Sequence, residues 1–296
     1  MPVRPKLLCF DDELAPAQRI AQAAGIELAV IERHRFPDGE LKLRLPERLG
    51  GPVVLLRSLD HPNEKLVELL LAGQTARQLG ATRLTLVAPY LAYMRQDMAF
   101  HPGEAVSQGI VGRFLASLFD AVITVDPHLH RVASLEQAVP VAHAVVLSGA
   151  PLLSDLIARH HRAPLLLGPD EESAQWVAQA ARRHGFDHAV CHKVRTGDLQ
   201  VAIALPDTPL SGRAVVLIDD VASSGRTLAL AARLARQAGA ASVDVAVTHA
   251  LFADDALQVI LEAGAREIWS TDCVAHSSNA VTIAPLLAQA LQALHA

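Results

Sequence analysis

Cysteine is scarce: Cys9, Cys191 and Cys273 are the three in 296 residues, and no two form a C-x-x-C pair. A disulfide framework is excluded, and an odd number of thiols with largely apolar neighbours suits buried free cysteines in a reducing compartment. Long apolar runs are missing too, since none reaches the roughly 18–20 residues that a membrane span needs. Near the start, Leu7-Leu8-Cys9-Phe10 is too short for a secretory signal and is followed by the wrong charge, Asp11-Asp12-Glu13. The expectation is a cytoplasmic protein with no membrane partner. Nor is there an excess of positive charge. Lys and Arg number 26 against 31 Asp and Glu, a net charge of -5, so nucleic acid is not expected as a partner. With only 19% charged and 51% hydrophobic residues, disorder is excluded as well. Finally, neither G-x-x-x-x-G-K-[ST] nor G-x-G-x-x-G occurs, which removes the P-loop and dinucleotide-binding readings.

What is present is an alternation. Short apolar runs at residues 53–56, 84–87, 121–125, 165–167, 214–218 and 243–247 suit parallel strands covered on both faces. Alanine- and leucine-rich stretches between them, such as 64–79 and 227–238, are long enough for crossover helices. The length allows two domains with full cores. One β-α-β unit runs from Val53 through a helix ending Gln78-Leu79-Gly80-Ala81 to Leu84-Thr85-Leu86-Val87. Another runs from Val215 through a helix ending Gln237-Ala238-Gly239-Ala240 to Val243, with Gly again where a left-handed cap is wanted. Every α/β protein shares this grammar to a degree, but we read an internal duplication: two tandem parallel-sheet domains, 1–145 and 146–296, meeting near residues 142–149. The last helix, 283–294, is assignable to either.

The most specific segment is Val215-Val216-Leu217-Ile218-Asp219-Asp220-Val221-Ala222-Ser223-Ser224-Gly225-Arg226-Thr227. A buried strand ends in two carboxylates, and a loop of small residues then opens a helix. Ligands of open α/β sheets sit at the carboxyl ends of strands. The N–H groups of such a turn, with a helix N-terminus, form an anion site, to which Ser223, Ser224 and Thr227 add hydroxyls and Gly225 adds close backbone approach. Asp219 and Asp220 would repel phosphate but suit sugar hydroxyls or Mg²⁺. A helix merely capped by serine would explain one hydroxyl and neither aspartate.

This segment resembles the phosphoribosyl-diphosphate (PRPP) loop of the type I phosphoribosyltransferase fold. The first half resembles the PRPP synthases (ribose-phosphate diphosphokinases) in particular. Phe36-Pro37-Asp38-Gly39-Glu40 looks like their adenine motif, and Pro89-Tyr90-Leu91-Ala92-Tyr93-Met94-Arg95-Gln96-Asp97 is similar to their ATP segment. Asp126-Pro127-His128 and Gly168-Pro169-Asp170 resemble their metal-binding and Pro-Asp motifs. The resemblance implies two type I phosphoribosyltransferase-like domains, ATP and ribose 5-phosphate as substrates, Mg²⁺ as cofactor and a homo-oligomer. It assigns ATP to Phe36, Asp38, Gly39, Glu40, Arg95 and Gln96. Metal falls to His128 and Asp170, and catalysis to Lys193 and Arg195. Ribose 5-phosphate falls to Asp219, Asp220, Ser223, Ser224, Gly225, Arg226 and Thr227. It also implies diphosphoryl transfer from ATP, giving PRPP and AMP.

There are departures. The catalytic loop reads Lys193-Val194-Arg195 where the family has Lys-Arg-Arg, and Glu171-Glu172-Ser173 replaces small residues. Ser223 stands where most bacterial and eukaryotic members have Asp, which, with Phe100-His101-Pro102-Gly103-Glu104-Ala105-Val106-Ser107 and a short C-terminus, is more like the archaeal-type branch. The rivals are a phosphoribosyltransferase, which leaves the first half unexplained, and a regulatory subunit that has kept the fold without the catalysis. His101, His160 and His161 read as structural or solvated, and His130 is a weaker ligand candidate than His128. The ending at Ala296 suggests that ADP only competes with ATP and that no phosphate activator is needed.

Overall fold

The structure is a computed structural model that describes residues 4–196 and 200–295, without the side chains of 193–196 and 200–202. The chain divides into two compact units. The first begins with β1 (Lys6–Cys9), α1 (Leu14–Ala24) and β2 (Glu27–Val30), followed by a hairpin of β3 (Glu32–Arg35) and β4 (Leu41–Arg44). It continues through β5 (Gly51–Leu56), α2 (Pro62–Gln78), β6 (Ala81–Ala88), α3 (Ser107–Leu118), β7 (Ala121–Val125), the short α4 (Leu135–Ala138) and β8 (His143–Leu147). Its six-stranded sheet is parallel throughout, in the order β2-β1-β5-β6-β7-β8.

The second unit, Ser148–Ile283, repeats this plan. It holds α5 (Ala150–His160), β9 (Leu165–Gly168), α6 (Ala174–His184), β10 (Asp187–Val190) and a hairpin of β11 (His192–Thr196) and β12 (Gln200–Ala204). Then come β13 (Ala214–Ala222), α7 (Arg226–Gln237), β14 (Ser242–Ala250), α8 (Ala256–Glu262), β15 (Ile268–Thr271) and β16 (Asn279–Val281). The sheet order β10-β9-β13-β14-β15-β16 is the same winding, with a hairpin again inserted between the second and third strands. The last helix, α9 (Ala284–His295), belongs to the first unit.

The apolar runs form buried strands because both faces of each sheet are covered. In the second unit Leu165, Leu167, Val215, Leu217, Val243 and Val245 face one side, while Leu166, Val216, Ile218 and Ala246 face the other. Each such side chain taken from water contributes about 1.5–3 kcal/mol. Gly80 and Gly239, with φ of 98° and 86°, follow the ends of α2 and α7 as a left-handed cap requires. Several strands run longer than the apolar runs: β6 and β14 extend past 84–87 and 243–247, and β13 does not stop at Ile218 but runs through Asp219 and Asp220 to Ala222, paired with β14 to its end. The three cysteines are buried and none of them is in a disulfide. No helix among the described residues is long and apolar enough to cross a membrane.

Candidate active site

In the second unit the chain leaves β13 at Ala222, turns through Ser223 and Ser224, and enters α7 after Gly225. Gly225 is the N-cap residue, in left-handed conformation at φ 69°, and no side chain caps the helix. Serine capping is therefore not what the loop is for, and the first amides of α7 have no intrahelical acceptor. The glycine is required twice over. A Cβ here would lie 2.9 Å from Ile260 Cδ1 and 3.0 Å from the Ala256 carbonyl on α8, and its φ is one that L side chains rarely adopt. The neighbouring segment braces the loop: the amides of Leu251 and Phe252 donate to Ala222 O at 3.1 and 2.8 Å, and Ala253 N donates to Ser223 O at 3.0 Å.

Beneath the loop, Asp220 is buried and its amide donates to Asp219 Oδ1 at 3.0 Å. Asp219 is held well above the usual carboxylate range by burial, and then by the charges of Asp220 and Asp170. Asp170, at the end of β9, is itself buried and accepts from Glu172 N at 3.1 Å. Ser173 Oγ donates to its carbonyl at 2.6 Å. Neighbouring carboxylates can hold a divalent cation that keeps most of its water and takes one or two of them. They do not form a closed cage: among the described residues, no three His, Cys, Asp or Glu side chains stand together in ligating positions. Glu171 is exposed and reaches His192 Nδ1 at 3.3 Å. Lys193 and Arg195 lie on β11, and their side chains are outside the described residues.

In the first unit, residues 36–40 form the tip of the β3–β4 hairpin. Phe36 N donates to Glu40 O at 2.8 Å, Gly39 N to Phe36 O at 2.9 Å, and Glu40 N to Asp38 Oδ1 at 3.1 Å. The tip is exposed, with Phe36 edge-on to His34 at 4.8 Å. Arg35 holds the hairpin to α2 through both oxygens of Glu64, at 3.2 and 2.6 Å. Arg95 is exposed beyond β6, while Gln96 Oε1 accepts from Ser107 Oγ at 3.1 Å. His128 is half-buried just past β7 and meets His130 edge-on at 5.8 Å.

Backbone strain marks the same ends of the strands. Among the described residues, five that are not glycine have positive φ: His61, Tyr93, Asp126, Phe252 and Asp254. They follow β5, β6, β7 and, for the last two, β14. Such conformations persist only where the surroundings impose them, and they gather at functional sites.

Sequence reasoning missed two features here. Arg57, only 1% exposed, sits directly after β5 and pairs with Asp12, Glu13 and Glu68 while lying 4.7 Å over the Phe10 ring. An arginine between Leu56 and Ser58, at the end of a buried run, was the available signal. Asp97 is the other, its side chain buried although it continues the quoted Arg-Gln-Asp. His161 does have a partner, the buried Asp244 at 2.8 Å, and His160 packs against the Trp269 ring at 4.8 Å, so both are structural.

Comparison with known proteins agrees with this geometry. Residues 6–118 match the family described as "N-terminal domain of ribose phosphate pyrophosphokinase", and residues 149–258 match the "Phosphoribosyl transferase domain". A ribose-phosphate pyrophosphokinase of Methanopyrus kandleri is 36% identical over 97% of this chain and 99% of its own. Ribose-phosphate pyrophosphokinase 2 of Archaeoglobus fulgidus is 35% identical over 92% of this chain and 95% of its own. The crystal structure of phosphoribosylpyrophosphate synthetase from Mycobacterium smegmatis superposes with a TM-score of 0.86 at 25% identity, covering 99% of both chains.

Proposed function

This chain belongs to the ribose-phosphate pyrophosphokinase family, and from that premise we propose that it moves the β,γ-diphosphoryl group of ATP to the anomeric hydroxyl of ribose 5-phosphate. The anomeric oxygen attacks the β-phosphorus, the bond from that phosphorus to the α,β-bridging oxygen breaks, and AMP leaves as PRPP forms. The hydroxyl proton is released. The observation that carries the reading is the loop at residues 223–227, set over the Asp219–Asp220 pair at the carboxyl end of β13. Amides of the loop and of the first turn of α7, with Arg226 and the hydroxyls of Ser223, Ser224 and Thr227, take the 5-phosphate. Asp219 and Asp220 accept from the sugar hydroxyls.

The adenine lies against Phe36, with Asp38, Gly39 and Glu40 around it, and Arg95 and Gln96 hold the triphosphate. Lys193 and Arg195 supply positive charge where it accumulates at the transferred group. Such a transfer needs little covalent help, only alignment and charge stabilisation. His128 and Asp170 would hold Mg²⁺, which neutralises phosphate oxygens when bound. The proposed assembly is a homo-oligomer.

The deciding experiment incubates the protein with ATP and ribose 5-phosphate, with and without Mg²⁺, and measures AMP and PRPP together. Equal amounts of the two, dependent on Mg²⁺, are expected. AMP without PRPP would overturn the reading, and formation of neither product would favour a regulatory subunit that has lost the activity.

A further inference from the structure

We propose that Asp97 is a positioning residue that clamps the loop carrying His128 to the segment carrying Arg95 and Gln96, so that nucleotide and metal ligands in the first unit are set as one piece. The inference deepens the function proposed above, and its ligand roles rest on that reading.

The side chain of Asp97 is 1% exposed, although both Arg95 and Met98 beside it are exposed. A carboxylate so placed must be paired to keep its charge. Both its oxygens are taken by one residue, Arg131. Arg131 Nη1 donates to Oδ1 at 2.6 Å, and Arg131 N donates to Oδ2 at 3.0 Å. The second bond matters more for position, because it fixes the main chain three residues beyond His128 rather than a flexible side chain. Around His128 itself, Leu129 N donates to Pro127 O at 2.8 Å, which tightens the turn that carries it.

The other end of the clamp does not yield. Gln108, buried at the start of α3, donates from Nε2 to Met94 O at 3.0 Å and from its amide to Gln96 O at 3.1 Å. With the bond from Ser107 to Gln96, the stretch 94–97 is fastened to α3 at three points. Asp97 therefore transmits the position of a rigid segment to a loop that leaves β7 through the strained Asp126, at φ 38°.

Arg131 is the safer place to test this, because its side chain is 48% exposed and its replacement opens no cavity. Five full-length proteins are compared: wild type, Arg131→Ala, Arg131→Lys, Asp97→Asn and the double variant Arg131→Ala with Asp97→Asn. Calorimetry measures binding of Mg·ATP and, separately, of ribose 5-phosphate, and amide hydrogen exchange is read at residues 128–131 without ligand. Arg131→Ala should weaken Mg·ATP about tenfold, the loss expected for one charge-assisted bond, with faster exchange at 128–131 and ribose 5-phosphate unmoved. Arg131→Lys should recover part of the affinity, and Asp97→Asn should lose at least as much as Arg131→Ala. The double variant should be no worse than the worse single one, as two residues of one clamp require. Unchanged exchange in Arg131→Ala and Asp97→Asn would overturn the clamp. So would an equal loss of both ligands, the mark of general destabilisation. If wild type binds no Mg·ATP, the functional reading falls instead, while the exchange measurement still judges the clamp.

Discussion

At the scale of single residues, burial, Asp220 and Asp170 all oppose the ionisation of Asp219. A carboxyl raised in the folded state lowers stability as pH climbs above the unfolded value of about 3.9. Asp219→Asn should therefore make the free protein melt higher at neutral pH, yet weaken ribose 5-phosphate by roughly ten- to a hundredfold. Thermal melts and calorimetry on one variant check both signs. A loss of ATP affinity with the sugar untouched would reassign Asp219 to the metal. Glu13 poses a similar question away from the ligand. Burial pushes it from 4.5 to about 7 despite Arg57, and its Oε1 accepts from Ser58 N at 2.7 Å. Its contribution is complete below about pH 4.5 and is lost as pH rises toward 7, on the order of 3 kcal/mol at about 1.4 kcal/mol per pH unit. Glu13→Gln keeps the acceptor and should flatten the stability–pH curve between those values, as denaturant midpoints taken at several pH values would reveal. An unchanged slope would mean that Glu13 is ionised throughout. Asp219 and Asp220 were legible as a pair because two adjacent carboxylates after a buried run have few other uses. Arg57 was not, because an arginine in sequence reads as exposed until its three acidic partners, from two other elements, are brought to it.

At the scale of elements, the strands at the centre of each sheet were readable from continuous apolar runs, as burial on both faces demands. The two hairpins were not. In the first of them Glu32-Arg33-His34-Arg35 is charged and largely exposed, and the alternation of Leu41-Lys42-Leu43-Arg44 spans only four residues, too few to mark a strand. Yet they occupy equivalent places in the two units, each between the second and third strands. One carries the Phe36 to Glu40 motif and the other Lys193 and Arg195. The duplicated plan thus gives each half one projecting hairpin, proposed for adenine in the first and for catalysis in the second. Lys193→Ala should lower kcat by about 10²–10³ with KM values little moved, as loss of one charge-stabilising donor does. Near-full turnover in that variant would take catalysis off this hairpin. The loop at 223–227 depends on a different kind of contact, the approach of α8 to Gly225. Gly225→Ala should raise the KM for ribose 5-phosphate and reduce stability by about 1 kcal/mol or more. Trimming Ile260 to Val in the same protein should not restore it, because the Ala256 carbonyl and the positive φ remain. Restoration would mean that side-chain crowding alone required the glycine.

The whole molecule is not divided in chain order. The first unit takes back α9, whose covalent neighbour is the last strand of the second. Sequence left that helix unassigned because its apolar stripe could face either core, and only the partner decides. Here the partner is α1: Leu287, Ala288 and Leu291 are buried, Gln292 Nε2 donates to Ala24 O at 3.4 Å, and Arg83 Nη1 donates to Leu294 O at 3.2 Å. Stability of the first unit is thereby tied to residues more than 200 positions away, while the loop at 223–227 keeps its own core of β13, β14, α7 and α8. Leu291→Ala should remove about 2–5 kcal/mol, the usual cost of emptying a buried leucine site. Amide exchange should accelerate through α1 and β1, while β13 and β14 keep their protection. Binding of ribose 5-phosphate, measured by calorimetry, should survive conditions in which binding of ATP is lost. Equal acceleration in both sheets would mean that the two units unfold as one, and that α9 stabilises the chain as a whole rather than the unit it packs against.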